Sequence, residues 1–261
     1  MSDKEDSPLI QKIEEYWDVR PCNIRHSQNE LGSIEYFDEV ERKRYFAEPH
    51  IPHFASFKSW NGKRVLEIGC GIGTDGVNFA KNGAEYYGIE LSNNSLNVAK
   101  DRFNKLGLRG NFYHQNAEED LSFLGDGKFD MIYSFGVIHH SPNPSLIINN
   151  AYNLLKKGGI LKIMLYATNS WKKLLIDNNL SQYEAQSNCP LAQTYTKEEV
   201  KELLNKFQGV EINQNHIFPY KIPEYIQGKY VKEDWFEQMP NELFAILKEN
   251  LGWHLCITAK K

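Results

Sequence analysis

The chain has 261 residues, 41% of them hydrophobic, and this size suits one α/β domain with additions. Its 30 Lys and Arg residues against 34 Asp and Glu give a net charge of −4 without a basic block, which argues against bulk nucleic-acid binding. Four widely spaced cysteines without a CxxC pair argue against a disulfide framework or a zinc ribbon.

Residues 1–59 precede the first buried strand pattern and mix aromatic, basic and Pro residues. Residues 35–45 are predicted to form a helix, whereas residues 16–27 suit neither a solvated helix nor a core element. Arg20 and Arg25 have guanidinium groups that can hold a carboxylate or phosphate bidentately. A surface ion pair is the alternative for either arginine.

Residues 64–73 predict a buried strand that runs directly into a glycine loop. The strand residues are Val65, Leu66 and Ile68, and the loop glycines are Gly69, Gly71 and Gly73. Glycine permits a tight turn, positive φ and close approach of a ligand. A helix should begin next, with its free N–H groups directed at that ligand. Strand, glycine loop and helix form the opening unit of a Rossmann-like nucleotide-binding sheet.

Residues 71–76 also satisfy G-x-G-x-x-G, the dinucleotide motif. However, the tight turn begins at Gly69, so the third glycine of that motif should fall at position 74, which is Thr74. An acid lies inside the strand, and the resulting pattern is Glu67-x-Gly69-x-Gly71-x-Gly73. This pattern resembles motif I of class I S-adenosylmethionine-dependent methyltransferases. An NAD-dependent oxidoreductase stays open as an alternative.

The second strand is predicted over residues 84–91 and ends at Glu90, 17 residues after Gly73. A carboxylate at this place can accept both hydroxyls of a cofactor ribose, and a solvated surface acid is the alternative. Ser92 is predicted to cap the following helix.

The third strand begins at residue 111, and the family resemblance implies adenine contacts in its exit loop, at Asn116, Ala117 and Glu118. An Asp is common in the family where this chain has Asn116, and Glu118 can alternatively be a simple helix-start acid.

The fourth strand, residues 129–134, leads to His139 and His140, a pair similar to that of many small-molecule methyltransferases. Either imidazole can take a proton from a hydroxyl or ammonium nucleophile, or it can merely pack in the loop.

Later elements complete the predicted sheet. A helix begins at Asn143 and Pro144 and ends at Gly158 and Gly159, and a capping box at Thr196 begins a later one. The predicted strands are residues 160–166, 210–218 and 253–259. Two additions, residues 167–194 and 219–250, lie outside this plan. The second is rich in aromatic residues, which suit a pocket wall, an oligomer contact or packing against the N-terminal segment.

The predicted fold is a Rossmann-like doubly wound α/β sheet of seven strands, with an N-terminal helical lid and an insertion between the last two strands. The domains are the lid and substrate segment, residues 1–59, and the methyltransferase domain, residues 60–261. The resemblance implies S-adenosylmethionine as cofactor. Its expected contacts are Glu67, Gly69, Cys70, Gly71, Gly73, Asp75, Glu90, Leu91, Asn116, Ala117, Glu118 and Ser134. The candidate catalytic residues are His139 and His140, and the candidate substrate-binding residues are Tyr16, Arg20, Arg25 and His26.

The expected activity is methyl transfer to an oxygen or nitrogen of a small polar metabolite or natural-product intermediate. A non-catalytic cofactor-binding subunit is a further alternative, and a homo-oligomer through residues 219–250 is an open expectation. The sequence has no HExxH motif or zinc-site spacing, so no metal is expected. The polar first 12 residues and the lack of a run of ~20 apolar residues lead us to expect a cytoplasmic protein without a membrane partner.

Overall fold

The fold centres on a mixed sheet of eight strands, seen in a computed structural model that describes residues 8–24, 26–181 and 188–261. The strands are β1 (Arg64–Ile68), β2 (Glu85–Glu90), β3 (Asn111–His114), β4 (Phe129–Phe135), β5 (Leu155–Ala167), β6 (Thr194–Tyr195), β7 (Gln208–Asn215) and β8 (His254–Lys260). Their order is β3-β2-β1-β4-β5-β8-β7, and β6 pairs with the end of β5. Strands β1 to β6 are parallel, whereas β8 runs antiparallel to both β5 and β7.

The helices cover the two faces of the sheet and one end of it. They are α1 (Pro8–Val19), α2 (Ile34–Ala47), α3 (Ile51–Ala55), α4 (Thr74–Lys81), α5 (Asn93–Lys105), α6 (Pro144–Leu154), α7 (Trp171–Asp177), α8 (Lys197–Leu203), α9 (Ile222–Ile226), α10 (Asp234–Glu237) and α11 (Asn241–Leu251). Among the described helices, none combines the length and apolar composition that a membrane span requires.

The sheet is buried on both faces, as the apolar strand patterns predict. Successive residues of one strand enter opposite cores: Leu66 packs with Ile132 below the sheet, and Val65 packs with Met131 above it. The strand order reverses between β1 and β4, which leaves a crevice at their carboxyl ends. The doubly wound α/β fold is therefore confirmed.

Two details of the predicted sheet are wrong. The sheet has eight strands rather than seven, because Thr194 and Tyr195 extend it beside the end of β5. The sixth helix also ends at Leu154 rather than at the glycines. Gly158 N instead donates to Lys261 O, so this glycine already belongs to the long strand β5.

The N-terminal segment divides into two parts that pack differently. Helix α2 is a core element, because Tyr36, Phe37 and Val40 are at most 2% exposed. The buried Arg102 of α5 donates to Phe37 O and to Glu41, which ties α2 to the sheet domain. A mobile lid that includes α2 is therefore inconsistent with this packing, and the lid hypothesis is confined to residues before α2.

Helix α1 lies over α5 and the crevice. Asp18 Oδ1 accepts from Ser92 Oγ at 2.7 Å and from Asn94 N at 2.9 Å. Ser92 also caps α5 as predicted, accepting from Ser95 N. Polar contacts thus hold the carboxyl end of α1 at the start of α5.

The insertion after β7 carries α9, α10 and α11 and packs against the N-terminal segment. The ring of Phe46, at the end of α2, lies 5.7 Å from that of Tyr220 and 4.6 Å from that of Tyr230. Residues far apart in sequence therefore close one end of the crevice together.

Candidate functional site

A cavity of about 480 Å³ opens at the carboxyl ends of β1, β2 and β4. Its volume lies in the range of about 300–1,000 Å³ that is typical of small-molecule sites. One side is the glycine loop with the ends of β2 and β3, and the other side combines α1 with aromatic residues of both additions. The topology predicted a ligand crevice at this place.

The glycine loop has the backbone conformation that its residue types require. Gly69, Gly71 and Gly73 all have positive φ, of 73°, 52° and 75°. A Cβ at Gly69 would lie 2.3 Å from Val137 Cγ2, whereas a Cβ at Gly71 would meet no protein atom within 4 Å. Gly71 therefore faces open space at the cavity and leaves its backbone accessible to a ligand.

Gly76, the last glycine of the G-x-G-x-x-G match, serves packing of α4 on the sheet. A Cβ there would lie 2.4 Å from Tyr86 Oη. Tyr86 in turn donates to Glu67 Oε2 at 2.5 Å. Close packing on Tyr86 therefore explains why a glycine is needed at this position, without a bound dinucleotide.

Glu90 stands at the end of β2 and holds the glycine loop. Its Oε2 accepts from Gly71 N at 2.9 Å, and its Oε1 accepts from Ser92 N at 2.8 Å. Burial raises the pKa of Glu90, while these backbone N–H groups oppose the rise. Each carboxylate oxygen has a further lone pair, so both oxygens can still accept a ligand hydroxyl.

Glu67 and Asp75 form a buried acidic pair beneath the loop, and both line the cavity. Asp75 accepts from Arg44 Nη2 at 3.0 Å and from the hydroxyls of Tyr45 and Tyr133, each at 3.0 Å. Burial, and then the charge of Asp75, raise the pKa of Glu67 well above its ordinary value. Arg44 belongs to α2, so the N-terminal segment supplies the counter-charge of this site.

The exit loop of β3 lines the cavity through Asn116, Ala117 and Glu118, together with Leu91 after β2. Asn116 Oδ1 accepts from Glu118 N at 3.0 Å and so shapes the loop. Glu118 accepts from Ser141 Oγ at 2.5 Å and from Asn143 Nδ2 at 2.9 Å. Glu118 therefore anchors the turn before α6, and because it also lines the cavity, its adenine contact stays a prediction.

Two predicted site residues lie in the core instead of at the cavity. Ser134 is fully buried, and its hydroxyl donates to Ile68 O, linking β4 to β1. His139 is also fully buried and stacks on Tyr166 at a centroid distance of 3.7 Å. Burial, and then the neighbouring His140, lower the pKa of His139 well below the ordinary imidazole value. Neither residue is among the described residues that line the cavity, and the same holds for the predicted contact Gly73, where a Cβ would lie 3.1 Å from Ala99 Cβ.

His140 lines the cavity and is oriented by its neighbours. Its Nδ1 lies 2.6 Å from Leu191 O, so Nδ1 carries the donated proton and Nε2 of the neutral ring is an acceptor. The ring of Trp17 in α1 meets the His140 ring edge-on at 5.3 Å. Of the two predicted catalytic histidines, the structure brings only His140 to the ligand space.

The predicted substrate residues are separated by the structure. His26 lines the cavity, and its pKa falls to about 4 because of burial and then the charges of Arg44 and Lys43. Tyr16 contacts Trp17 in α1, and neither Tyr16 nor Arg20 is among the described lining residues. Arg25 lies outside the described residues.

The far wall of the cavity was not predicted residue by residue. It is largely aromatic, with Trp17, Trp171, Phe218, Tyr220, Trp235, Phe236 and Trp253. The aromatic density of residues 219–250 was the sequence signal for this wall, and one of its predicted roles was a pocket wall.

Three histidines at one end of the cavity also escaped prediction. One ring nitrogen from each of His50, His216 and His254 lies within 4.8 Å of the others. Burial lowers the pKa of His50 to about 4 and that of His216 to about 3. The three positions are far apart in sequence, so spacing along the chain could not reveal them.

Comparison with known proteins shows the family to which the chain belongs. The family model described as a methyltransferase domain matches residues 60–208, more than half of the chain. A ubiquinone biosynthesis O-methyltransferase of Dechloromonas aromatica (strain RCB) is 38% identical over 98 residues, which are 38% of this chain and 42% of that protein. Another, of Aromatoleum aromaticum (strain DSM 19018 / LMG 30748 / EbN1), is 28% identical over 155 residues, 51% of this chain and 66% of that protein. The chain therefore matches between about two fifths and two thirds of the length of these relatives.

The fold as a whole also has a counterpart among solved structures. Magnesium protoporphyrin IX methyltransferase of Synechocystis PCC 6803 with bound SAM is similar, with a TM-score of 0.59 and 12% identity over 100% of both chains. At that identity the likeness shows the fold alone.

Proposed function

Because the chain belongs to the class I S-adenosylmethionine-dependent methyltransferase family, we propose that it methylates an oxygen or nitrogen atom of a small molecule. The observation that carries this proposal is the hydrogen bond from Gly71 N to Glu90 at the mouth of the cavity. It joins the open glycine loop to the acid expected to bind the cofactor ribose.

The cofactor half of the cavity has suitable groups for each part of S-adenosylmethionine. Gly69 and Gly71 offer backbone at the open loop, and Glu90 has lone pairs for the two ribose hydroxyls. Charge-assisted bonds of this kind contribute about 1.5–3 kcal/mol each. Asn116 and Ala117 would then lie beside the adenine.

The acceptor half favours a molecule with an aromatic or extended apolar part rather than a wholly polar metabolite. Trp17, Trp171 and Trp235 line the space with flat apolar rings, and those of Trp171 and Trp235 lie 6.2 Å apart. The curated relatives are named for O-methylation in ubiquinone biosynthesis, which supports an oxygen acceptor here. A nitrogen acceptor is the second candidate.

For this transfer the protein must align the acceptor with the methyl group and accept one proton. The acceptor oxygen attacks the methyl carbon in line, a C–O bond forms, and the C–S electron pair returns to sulfur. His140 is the candidate base: Nδ1 donates to Leu191 O, and Nε2, which is buried in this structure, would take the hydroxyl proton after a movement that opens it to the acceptor. Helix α1, which lines the cavity through Trp17, would exclude water during transfer.

The test has two parts, cofactor binding and transfer. Calorimetry should detect binding of S-adenosylmethionine and weaker or no binding of NADH. Incubation of the protein with methyl-labelled cofactor and a metabolite extract should give a labelled product by mass spectrometry. Cofactor binding without any labelled product would favour the non-catalytic subunit, and preference for NADH would favour the oxidoreductase.

A matched pair of variants on β2 tests the role of Glu90. Glu90→Ala should weaken S-adenosylmethionine binding by about 2 kcal/mol or more, roughly thirtyfold, because the ribose loses a charged partner. Glu85→Gln changes an exposed acid at the other end of the same strand and should bind normally. Unchanged affinity in a folded Glu90→Ala protein would exclude Glu90 from the site.

A further inference from the structure

The three histidines at the end of the cavity have spacings close to those of a metal site. His50 Nε2 and His254 Nδ1 are 3.0 Å apart, and the ligand atoms of all three residues lie within 4.8 Å. Two nitrogen ligands of a tetrahedral ion with bonds of about 2.0–2.1 Å are separated by about 3.3 Å. A rotation of the His216 ring out of its stack on His254 would bring all three nitrogens to ligand distances with converging lone pairs.

Pairing of β7 with β8 places two of the three histidines side by side. His254 is the first residue of β8 and pairs with Asn215 of β7, so His216 follows directly beside it. His216 has φ 72°, in the left-handed region, where His, Asn and Asp are enriched among the non-glycine residues. The rings of His216 and His254 stack at 4.4 Å. The turn after β7 thus places the His216 ring against His254.

Glu48 lies beside His254 and also lines the cavity. The two ring nitrogens of His254 point in different directions: Nδ1 faces His50, and Nε2 lies 3.8 Å from Glu48 Oε1. In metal sites, the ligating histidine commonly directs its second nitrogen to a carboxylate that fixes the orientation of the ring. Glu48 is placed for that role after a small movement.

We propose that His50, His216 and His254 bind a divalent transition cation such as Zn²⁺ or Fe²⁺, with Glu48 orienting His254. Imidazole nitrogen suits these ions, whereas Mg²⁺ and Ca²⁺ prefer oxygen ligands. His216 and His254 line the cavity, so a cation bound by the cluster would lie at the end of the ligand space. Three protein ligands and one open position are typical of a catalytic metal site rather than of a structural one.

The consequence for catalysis rests on the proposed methyl transfer. A hydroxyl of the acceptor that binds the cation loses its proton more readily, because the cation stabilises the resulting alkoxide. That proton passes to water or to His140. The alkoxide oxygen then bonds to the methyl carbon, and the C–S electron pair returns to sulfur. The cluster therefore selects acceptors that carry a hydroxyl at the aromatic end of the cavity.

The binding test uses the whole protein, freed of metal by a chelator, without cofactor or acceptor. Titration with Co²⁺ should give one bound ion per chain and the intense visible absorption of a four- or five-coordinate site. His50→Gln and His216→Asn should each weaken binding about a hundredfold or more, since even loss of an outer partner costs 10- to 100-fold. Asn at position 216 tolerates the left-handed backbone, so this variant should fold.

The matched control is His53→Gln. His53 is exposed and lies in α3, whose N-cap is His50, but it is outside the cluster. It should bind Co²⁺ as the unchanged protein does. Equal binding by all variants, or no saturable binding by the unchanged protein, would overturn the proposal and leave His50 and His254 as a simple hydrogen-bonded pair.

A measurement on the unchanged protein makes the test independent of the variants. In protein labelled with ¹⁵N-histidine, Zn²⁺ should shift the imidazole signals of three of the eight histidines, and assignment should identify them as His50, His216 and His254. Shifts of other histidines, or none, would refute the site. Methyl transfer that proceeds after failed metal binding refutes only this proposal, whereas Co²⁺ binding without any transfer refutes only the proposed function.

Discussion

The ion pair between Arg44 and Asp75 provides a quantitative test of how α2 is attached. Arg44 Nη2 and Nε lie 3.0 and 3.3 Å from the two oxygens of Asp75, and the side chains are 12% and 2% exposed. Arg44→Met removes the cation and leaves the carboxylate buried. Losing one partner of such a pair costs about 3–5 kcal/mol.

The lower end of that range applies here. The hydroxyls of Tyr45 and Tyr133 continue to donate to Asp75 in the variant, so the carboxylate keeps two hydrogen bonds. A loss of about 3 kcal/mol corresponds to a fall in melting temperature of about 6–12 °C for a chain of this size. Asp75→Asn in the same protein should recover part of the loss, because the buried charge is then removed.

Chemical denaturation measures these changes, and Arg64→Met is the matched control. Arg64 also contacts a carboxylate, at 2.8 Å from Glu85, but the two side chains are 38% and 49% exposed. Its loss should cost less than about 1 kcal/mol. If the free energy of unfolding of Arg44→Met lies within 1 kcal/mol of that of the unchanged protein, α2 does not pack on the sheet domain as described, and the reasoning fails.

Three further predictions concern the loop, the lid and pH. Gly71→Val should abolish S-adenosylmethionine binding in a folded protein, whereas Gly107→Val should bind normally, because Gly107 also has positive φ (64° against 52°) and equally open surroundings but lies away from the cavity. Normal titration of Gly71→Val would show the cofactor to be misplaced. Removal of residues 1–20, which include α1, should leave a folded protein that binds the cofactor but does not transfer a methyl group. Insoluble protein or full turnover would refute the hypothesis that α1 is a lid. The pKa of His26 is about 4 in the folded protein and 6.5 in the unfolded chain, so its contribution to the free energy of unfolding, up to about 3 kcal/mol, is lost as the pH falls from 6.5 to 4. His26→Asn should therefore reduce the dependence of the free energy of unfolding on pH in this range. An unchanged dependence would contradict the assignment.

The cofactor side of the site could be predicted from sequence because its signals are local. Gly69, Gly71 and Glu90 follow directly from strand ends, and the sheet order brings those ends to one crevice. The N-cap at Ser92 and the capping box at Thr196 were confirmed for the same reason. Such features depend on a few neighbouring residues and on backbone geometry that any chain must satisfy.

The acceptor side depends on contacts that no local pattern encodes. Leu191 O, which orients the His140 ring, lies 51 residues further along the chain. His139 and His140 are adjacent in sequence, but the turn directs one into the core and one into the cavity. The side-chain direction within a tight turn, and partners dozens of residues away, were therefore the information that the sequence alone did not provide.

The position of β8 has a consequence for how the chain acquires its structure during synthesis. Residues 254–260 lie between β5 and β7, although both neighbours are synthesised earlier. Until these residues emerge from the ribosome, β5 and β7 have no partner on their facing edges and present open backbone donors and acceptors. Pairing across so long a sequence separation is intrinsically slow. The nascent chain therefore passes through an aggregation-prone intermediate, and we expect its yield in cells to depend on chaperones and on temperature more than its final stability does.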